Sequence, residues 1–325
     1  MKVGKDSPAL ARGSQRRSAA RILFAAAAVF CTTLTAATAQ PAAPAAQPPT
    51  ATGASAAGVG ANLNITPRRV TFSRNDRSAT VTVFNQGTTP TTVDIALVDR
   101  LMLPNGQIMP VAEADAKPEL KAELDRVKSA KAMILMTPRR AVLAPGKSQT
   151  IRLRLAAEAD PAIEYRTHLT VTTVPPRDVG LTAEQAASGS GNQLRFIINS
   201  AFGLSIPLIV RAGAADVRAG IENARLDYAD ISPDGVAPPR RTPVIDFDLV
   251  RQGASSLYGN VEIQGAKGGD PLGVVRGVGV YTEIDRRSIQ VPLSRAPNPG
   301  EPLEVTFTDD DTSPGKVLAR TAVGS

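Results

Sequence analysis

The chain of 325 residues contains one cysteine, one histidine and no tryptophan, and Phe, Tyr and Trp together make up 4% of it. A single thiol, Cys31, excludes an intramolecular disulfide framework and a thiolate zinc site. A single histidine, His168, excludes a histidine cluster for zinc or copper. The charge of one sign is also modest. There are 37 Lys+Arg against 30 Asp+Glu, a formal net charge of +7, yet residues 1–39 alone hold six basic side chains and one acidic one. The rest of the chain therefore carries about +2, with neither the clustered basic patch nor the stacking aromatics of a nucleic-acid binder. No G-x-S-x-G elbow, phosphate loop or dinucleotide fingerprint is present. Ser188-Gly189-Ser190-Gly191 lacks the lysine and helix that a phosphate cradle needs and reads as a connection. A serine triad would have to use His168, which sits in the alternating run Tyr165-Arg166-Thr167-His168-Leu169 and reads as a strand-borne side chain. Asp309-Asp310-Asp311 does not have calcium-loop spacing and reads as a solvated turn. Nothing singles out a pair of carboxylates for glycoside chemistry. The expectation is a protein without catalytic site, metal or cofactor.

What is present begins with a leader. Basic residues up to Arg21 run into Ile22-Leu23-Phe24-Ala25-Ala26-Ala27-Ala28-Val29-Phe30, and Ala37-Thr38-Ala39 precedes Gln40. Basic region, short apolar run and small-x-small site are the parts of a secretory signal peptide, cleaved after Ala39. The apolar run is short for a membrane span of about 20 residues. Arg16-Arg17 lacks the flanks of a twin-arginine signal, and Cys31 follows Phe30 where a lipidated cysteine follows a small residue. Residues 40–61 are almost wholly Ala, Pro, Thr, Gly and Ser, with nothing to bury, and read as a disordered leader.

From Asn62 onward, apolar residues alternate, the mark of half-buried strands. Examples are Val81 and Val83; Val93, Ile95 and Leu97; and Ile151, Leu153 and Leu155. Turn chemistry separates them at Asn85-Gln86-Gly87, Pro104-Asn105-Gly106 and Ala144-Pro145-Gly146-Lys147. Ala112–Ala132, rich in Ala, Glu, Lys and Leu, is expected to hold one helix inserted between strands. The longest alternation is Leu194, Phe196, Ile198, Ser200, Phe202, Leu204, Ile206, Leu208 and Val210, about three times the usual strand length. After Ala212-Gly213-Ala214-Ala215 alternation resumes, for example at Ile245, Phe247 and Leu249 and at Leu303, Val305 and Phe307. The fold class expected is all-β, two sandwich domains at 62–211 and 214–325 behind the signal peptide (1–39) and leader (40–61).

Several phrases then fit together: Asn64-Ile65-Thr66-Pro67-Arg68-Arg69-Val70-Thr71-Phe72, Ser78–Gly87, Thr137-Pro138-Arg139-Arg140, Leu143–Leu153, Tyr165–Leu169 and Ser205-Ile206-Pro207-Leu208-Ile209-Val210-Arg211. In content and order they resemble the PapD-like periplasmic chaperones of the chaperone–usher pilus pathway. The resemblance covers residues 62–211 well and continues more loosely through Ser256–Asn260 and Val280-Tyr281. It implies two immunoglobulin-like domains, export to the periplasm, and ATP-independent binding of pilin-like subunits for delivery to an outer-membrane usher. Such chaperones lend a long strand to a subunit that lacks one of its own. On this chain the donor strand falls on Phe196, Ile198, Phe202, Leu204 and Ile206, whose side chains are expected to be exposed until a subunit covers them. A free-state dimer would shield the same ridge.

The family also anchors the subunit's terminal carboxylate with two basic residues. The first falls on Arg69; where the second, a lysine, is expected, this chain has Pro207. Either Arg69 works alone or a neighbour such as Arg68 or Arg195 substitutes. The connection from Pro175-Pro176 to Asn192 is longer than in compact members, while the long-loop members carry a disulfide that this chain cannot form, so the subclass stays open, with the archaic or alternative branch the expectation. A second reading of the same residues is an immunoglobulin-like structural or adhesive surface protein. A pilin would carry an alternating apolar extension at its N-terminus, where this chain is Ala/Pro-rich.

Overall fold

The computed structural model describes residues 62–175, 201–232, 234–265 and 268–323. The signal peptide, the leader, Cys31, Arg195, Phe196 and Ile198 lie outside the described residues.

The first sandwich packs a four-stranded sheet on a five-stranded one. The four-stranded sheet runs β1 (Leu63–Thr66), β3 (Ser78–Asn85), β9 (Ser148–Leu155), β7 (Ile134–Thr137). The five-stranded sheet runs β2 (Val70–Phe72), β11 (Gly203–Arg211), β10 (Glu164–Val174), β4 (Thr91–Val98), β8 (Arg140–Leu143). Alternation places Val81 and Val83 of β3, Ile151, Leu153 and Leu155 of β9, and Leu169 and Val171 of β10 in one core with Phe72. At each lateral edge one stretch of chain changes sheets, β1 to β2 and β7 to β8. Both crossings carry the same tetrapeptide, Thr66-Pro67-Arg68-Arg69 and Thr137-Pro138-Arg139-Arg140. Proline has no N–H to give to a ladder, so pairing stops there and restarts in the facing sheet.

The second sandwich faces β12 (Ala219–Ile231), β13 (Arg240–Arg251) and β16 (Arg286–Pro292) against β15 (Gly273–Val280), β14 (Leu257–Gly265), β17 (Leu303–Asp309) and β18 (Val317–Ala322). Its core gathers Ile245, Phe247, Leu249, Val261, Ile263, Val305 and Phe307. The protein is thus all-β, as its alternation requires.

One departure lies between β4 and β7. A single helix over Ala112–Ala132 is not formed; there are two short ones, α1 (Val111–Ala114) and α2 (Lys121–Arg126), with 3₁₀ turns at Pro118–Leu120 and Lys131–Met133. Pro118 explains it, because a residue before proline is driven out of the helical region, and Lys117 is extended at φ −117°, ψ 99°. Ahead of α1 comes a small hairpin, β5 (Arg100–Met102) and β6 (Ile108–Pro110), closed by the expected turn, where Gly106 has φ +84° and its N–H bonds Leu103 O at 2.8 Å. The positive φ is what favours glycine here, and the Arg287 guanidinium packs into the space a side chain would take. This hairpin leaves the first sandwich for the second. Met102, 2% exposed, is part of the second sandwich's core, and Pro104 O accepts from Ser288 N at 2.8 Å. Arg126 of α2 forks onto Asp285 and also reaches Thr282 O.

Candidate functional site

The outer face of the five-stranded sheet, at its end nearest the second sandwich, collects charge. On β10 the residues alternating with the core positions are Arg166, His168 and Thr170; on β11 they are Pro207, Ile209 and Arg211. Pairing sets Arg166 beside Ile209, His168 beside Pro207 and Glu164 beside Arg211. Because the second sandwich covers this face, nearly all of β10 is buried on both sides.

Burying these groups demands partners. Arg211 gives Nε and Nη2 to Glu164 Oε2 at 3.0 and 2.8 Å, and Ser256 N bonds the same oxygen. Arg211 Nη1 reaches Asp311 Oδ2 at 3.2 Å, across to the second sandwich. Burial pulls the Arg211 pKa down, but Glu164 and Asp311 outweigh it and hold the group above its ordinary value. Arg166 pairs with the buried Glu283, which also accepts from Met102 N at 2.8 Å, and its guanidinium lies 3.6 Å from the centre of the Tyr281 ring. Burial holds the Tyr281 hydroxyl above its usual pKa.

Arg69, just ahead of β2, enters the same junction. Its side chain is 10% exposed, its Nη2 bonds Asp311 Oδ2 at 3.1 Å, and its guanidinium carbon sits 4.7 Å from the centre of the Tyr258 ring. Its Nε and Nη1 are buried without a hydrogen-bond partner among the described residues. Arg69 is therefore not an exposed strand arginine. Pro207, at the lysine position, faces His168 across the ladder. Arg68, one of the two substitutes considered, is exposed and lines a groove beside β11. His168 is 2% exposed and neither ring nitrogen has a partner among the described residues. Burial, then Arg166, Arg100 and Arg69, push its pKa down to about 2.

The second element of the site is main chain. β11 pairs with β10 over its whole length, from Gly203 to Arg211, but with β2 only at Leu208–Val210. The other edge of Gly203–Pro207 has no strand beside it among the described residues. It borders a groove of about 380 Å³ between Leu204–Ile206 and Leu63–Ile65, with Arg68 and Gln86 on its rim. An unpaired ladder edge is a template for another strand.

The side chains along it do not all match expectation. Phe202 is 51% exposed and Leu204 half-buried, but Ile206 is 3% exposed and belongs to the first sandwich's core. The expectation of an exposed ridge is corrected at Ile206: the even-numbered face of β11 is the core face, with Ile206, Leu208 and Val210 in the core and Leu204 packed against it.

Sequence reading also missed Glu164, Arg166, Tyr281, Glu283 and Asp311. The run Asp309–Asp311 is not a solvated turn. Asp309 is 1% exposed, accepting from Asp311 N, Thr312 Oγ1 and Ser313 N, and Asp311 serves two arginines. The one available signal was three consecutive carboxylates at the end of an apolar strand.

Among the described residues no group of three or more His, Cys, Asp or Glu is placed to hold a metal ion, and no helix is long and apolar enough to cross a membrane.

No protein-family model matches the chain, and no curated protein does. Solved structures are similar. The YadV chaperone is 12% identical, with 80% of this chain and 99% of that one covered and a TM-score of 0.40. The E. coli chaperone DraB is 14% identical, with 82% and 98% covered and a TM-score of 0.37. CsuC, in its pre-assembly complex with the tip adhesion subunit CsuE of the archaic Csu pili of Acinetobacter baumannii, is 12% identical, with 81% and 98% covered and a TM-score of 0.39. Similarity of this degree assigns no residue a role.

Proposed function

We propose that this chain is a periplasmic, ATP-independent chaperone of pilus subunits. It binds a pilin-like subunit by strand addition along β11 and hands it to an outer-membrane usher, without catalysis. The observation that carries the reading is the open ladder edge of Gly203–Pro207, flanked by Phe202 and leading into the junction that holds Arg69. Main-chain bonds along such an edge supply affinity, and alternate side chains entering the partner supply selectivity. Burying a large apolar side chain from full exposure is worth about 1.5–3 kcal/mol. Phe202, half exposed, has about half of that left to gain, and Leu204 less. Phe196 and Ile198 extend the same alternation on the N-terminal side. Arg69 offers its guanidinium to the subunit's terminal carboxylate at the far end of the edge.

The division at 62–211 and 214–325, cleavage after Ala39, and self-association in the free state belong to the same proposal. The test is co-expression of the exported protein with small pilin-like subunits, followed by co-purification. Arg69→Ala should weaken subunit capture about tenfold to a hundredfold, the equivalent of a charge-assisted bond of roughly 1.5–3 kcal/mol; because it also removes the buried contacts to Asp311 and Tyr258 and lowers the melting temperature, capture is compared at a temperature where melting curves show both proteins folded. Undiminished capture by that variant overturns the anchor. Failure of the wild-type protein to retain any subunit favours an adhesive or structural surface protein.

A further inference from the structure

Strand β7 ends the four-stranded sheet, and on the side away from β9 no strand lies beside it among the described residues. Ala156 N donates to Met133 O at 2.9 Å, which fixes the parity of the ladder. Leu135 and Thr137 turn their main chain to β9, whereas Ile134 and Met136 turn theirs to the open side. The free edge therefore offers an N–H and a C=O from each of those two residues.

A groove lies on either side of this edge. On the outer face of the sheet, one of about 540 Å³ crosses β3, β9 and β7. Two arginines of β9 stand in it, Arg154 between Ser78 and Leu135, and Arg152 between Thr80 and Thr137. Leu135 is 59% exposed. Toward the five-stranded sheet, a second groove of about 400 Å³ runs between Ile134–Met136 and Ile95–Leu97, with Lys131 and Arg139 also lining it.

The charge around the edge is of one sign. Arg152, Arg154, Lys131 and Arg139 are exposed, and no ion pair among the described residues includes any of them. The outward residues of the four strands are Ser, Thr, Asn, Phe, Leu and Arg, with no Asp or Glu. Arg140, at the start of β8, is by contrast already held by Asp94 through two bonds. Arg152 and Arg154 are two residues apart on one face of a strand, about 6.8 Å, and an extended chain presents its same-side side chains at that repeat.

We propose that the free edge of β7 is a second docking edge, which takes an extended segment of a partner protein in which acidic and apolar residues alternate. The segment adds a strand through Ile134 and Met136. Its acidic side chains lie on the outer face and reach past Leu135 and Thr137 to Arg154 and Arg152, while its apolar ones enter the groove against Ile95 and Leu97. Main-chain bonds and apolar burial supply the affinity, and the unpaired cations select the partner. The inference does not rest on the subunit reading. β7 and β11 flank opposite lateral sides of the first sandwich, so both edges can be filled at once.

The experiment uses the exported full chain and three fluorescent ten-residue peptides: alternating glutamate and valine, alternating lysine and valine, and five glutamates followed by five valines. The alternating acidic peptide should bind and slow amide exchange at Ile134 and Met136. The block-ordered peptide, with half its valines facing the wrong side, should bind roughly tenfold more weakly. Replacing both exposed arginines, Arg152→Gln with Arg154→Gln, should cost the acidic peptide roughly threefold to tenfold in affinity and leave the melting curve unchanged. The peptide comparisons are made on the wild type, so they hold even if that variant folds poorly. Equal affinity for the acidic and lysine peptides, equal affinity for the alternating and block-ordered ones, or no binding overturns the proposal. Protection confined to Gly203 and Ser205 places the peptide on β11 and overturns it as well.

Discussion

His168 is the sole imidazole of the chain, and its burial converts directly into a pH dependence of stability. In the unfolded chain it takes up a proton below its ordinary pKa of 6.5; in the folded protein it resists protonation down to about 2. Between those values the unfolded state binds more protons, so acid favours unfolding and stability is lost as pH falls below 6.5. The slope approaches about 1.4 kcal/mol per pH unit, and integration from pH 7.5 to 5.0 gives a loss of about 2 kcal/mol from this one side chain. Asp94, Asp216, Asp248 and Asp285, all with lowered pKa values, remain charged over that interval and contribute equally to any His168 variant. His168→Leu removes the titrating group, and since neither ring nitrogen has a partner among the described residues, no hydrogen bond is lost with it. Urea unfolding at pH 7.5 and 5.0 measures the outcome. The wild type should lose about 2 kcal/mol more than His168→Leu on acidification. Equal losses in the two proteins would show that the imidazole protonates in the folded state, and the argument from burial beside Arg166, Arg100 and Arg69 would fail.

Ile206, inside β11, and Phe202, just ahead of it, should separate in the same assay: Ile206→Ala should cost about 2–5 kcal/mol as a core truncation, whereas Phe202→Ala should leave urea stability nearly unchanged while reducing subunit capture. A large destabilisation by Phe202→Ala would place it in the core and remove it from the binding edge. Met102→Ala should destabilise by about 2–5 kcal/mol, and the loss should register in probes placed in the second sandwich, such as amide exchange of β13 and β14. Exchange unchanged there, with loss confined to the first sandwich, would contradict its place in the second core.

Strands that bury one face were legible, as Ile151, Leu153 and Leu155 announce themselves by period two. What the period does not contain is where a face stops being covered. Phe202, one residue ahead of β11, and Ile206 share one alternation, yet the first is 51% exposed and the second 3%. The insertion was legible as helical in composition, but Pro118 divides it, a local rule that outweighs an average over the segment. Arg69 was found through a resemblance of phrases. The carboxylates of its junction could not be, because Glu164, Glu283 and Asp311, which pair with Arg211, Arg166 and Arg69, come from distant parts of the chain and a buried ion pair has no periodicity. A charged residue in a strand reads as solvent-facing until a second sandwich is laid on it.

The β5–β6 hairpin makes the two sandwiches unequal. Residues numbered before 111 complete a core otherwise built from residues after 240, through Met102, and supply Glu283 with its backbone donor. The first sandwich contains every side chain of its own buried cluster, but a fragment comprising only the second would start with a gap where Met102 belongs. During synthesis and export the hairpin emerges well before the core it enters, so it must wait, unpartnered, until the last strands arrive. The two halves therefore cannot be exchanged as modules with those of another two-sandwich protein unless the hairpin travels with the second half.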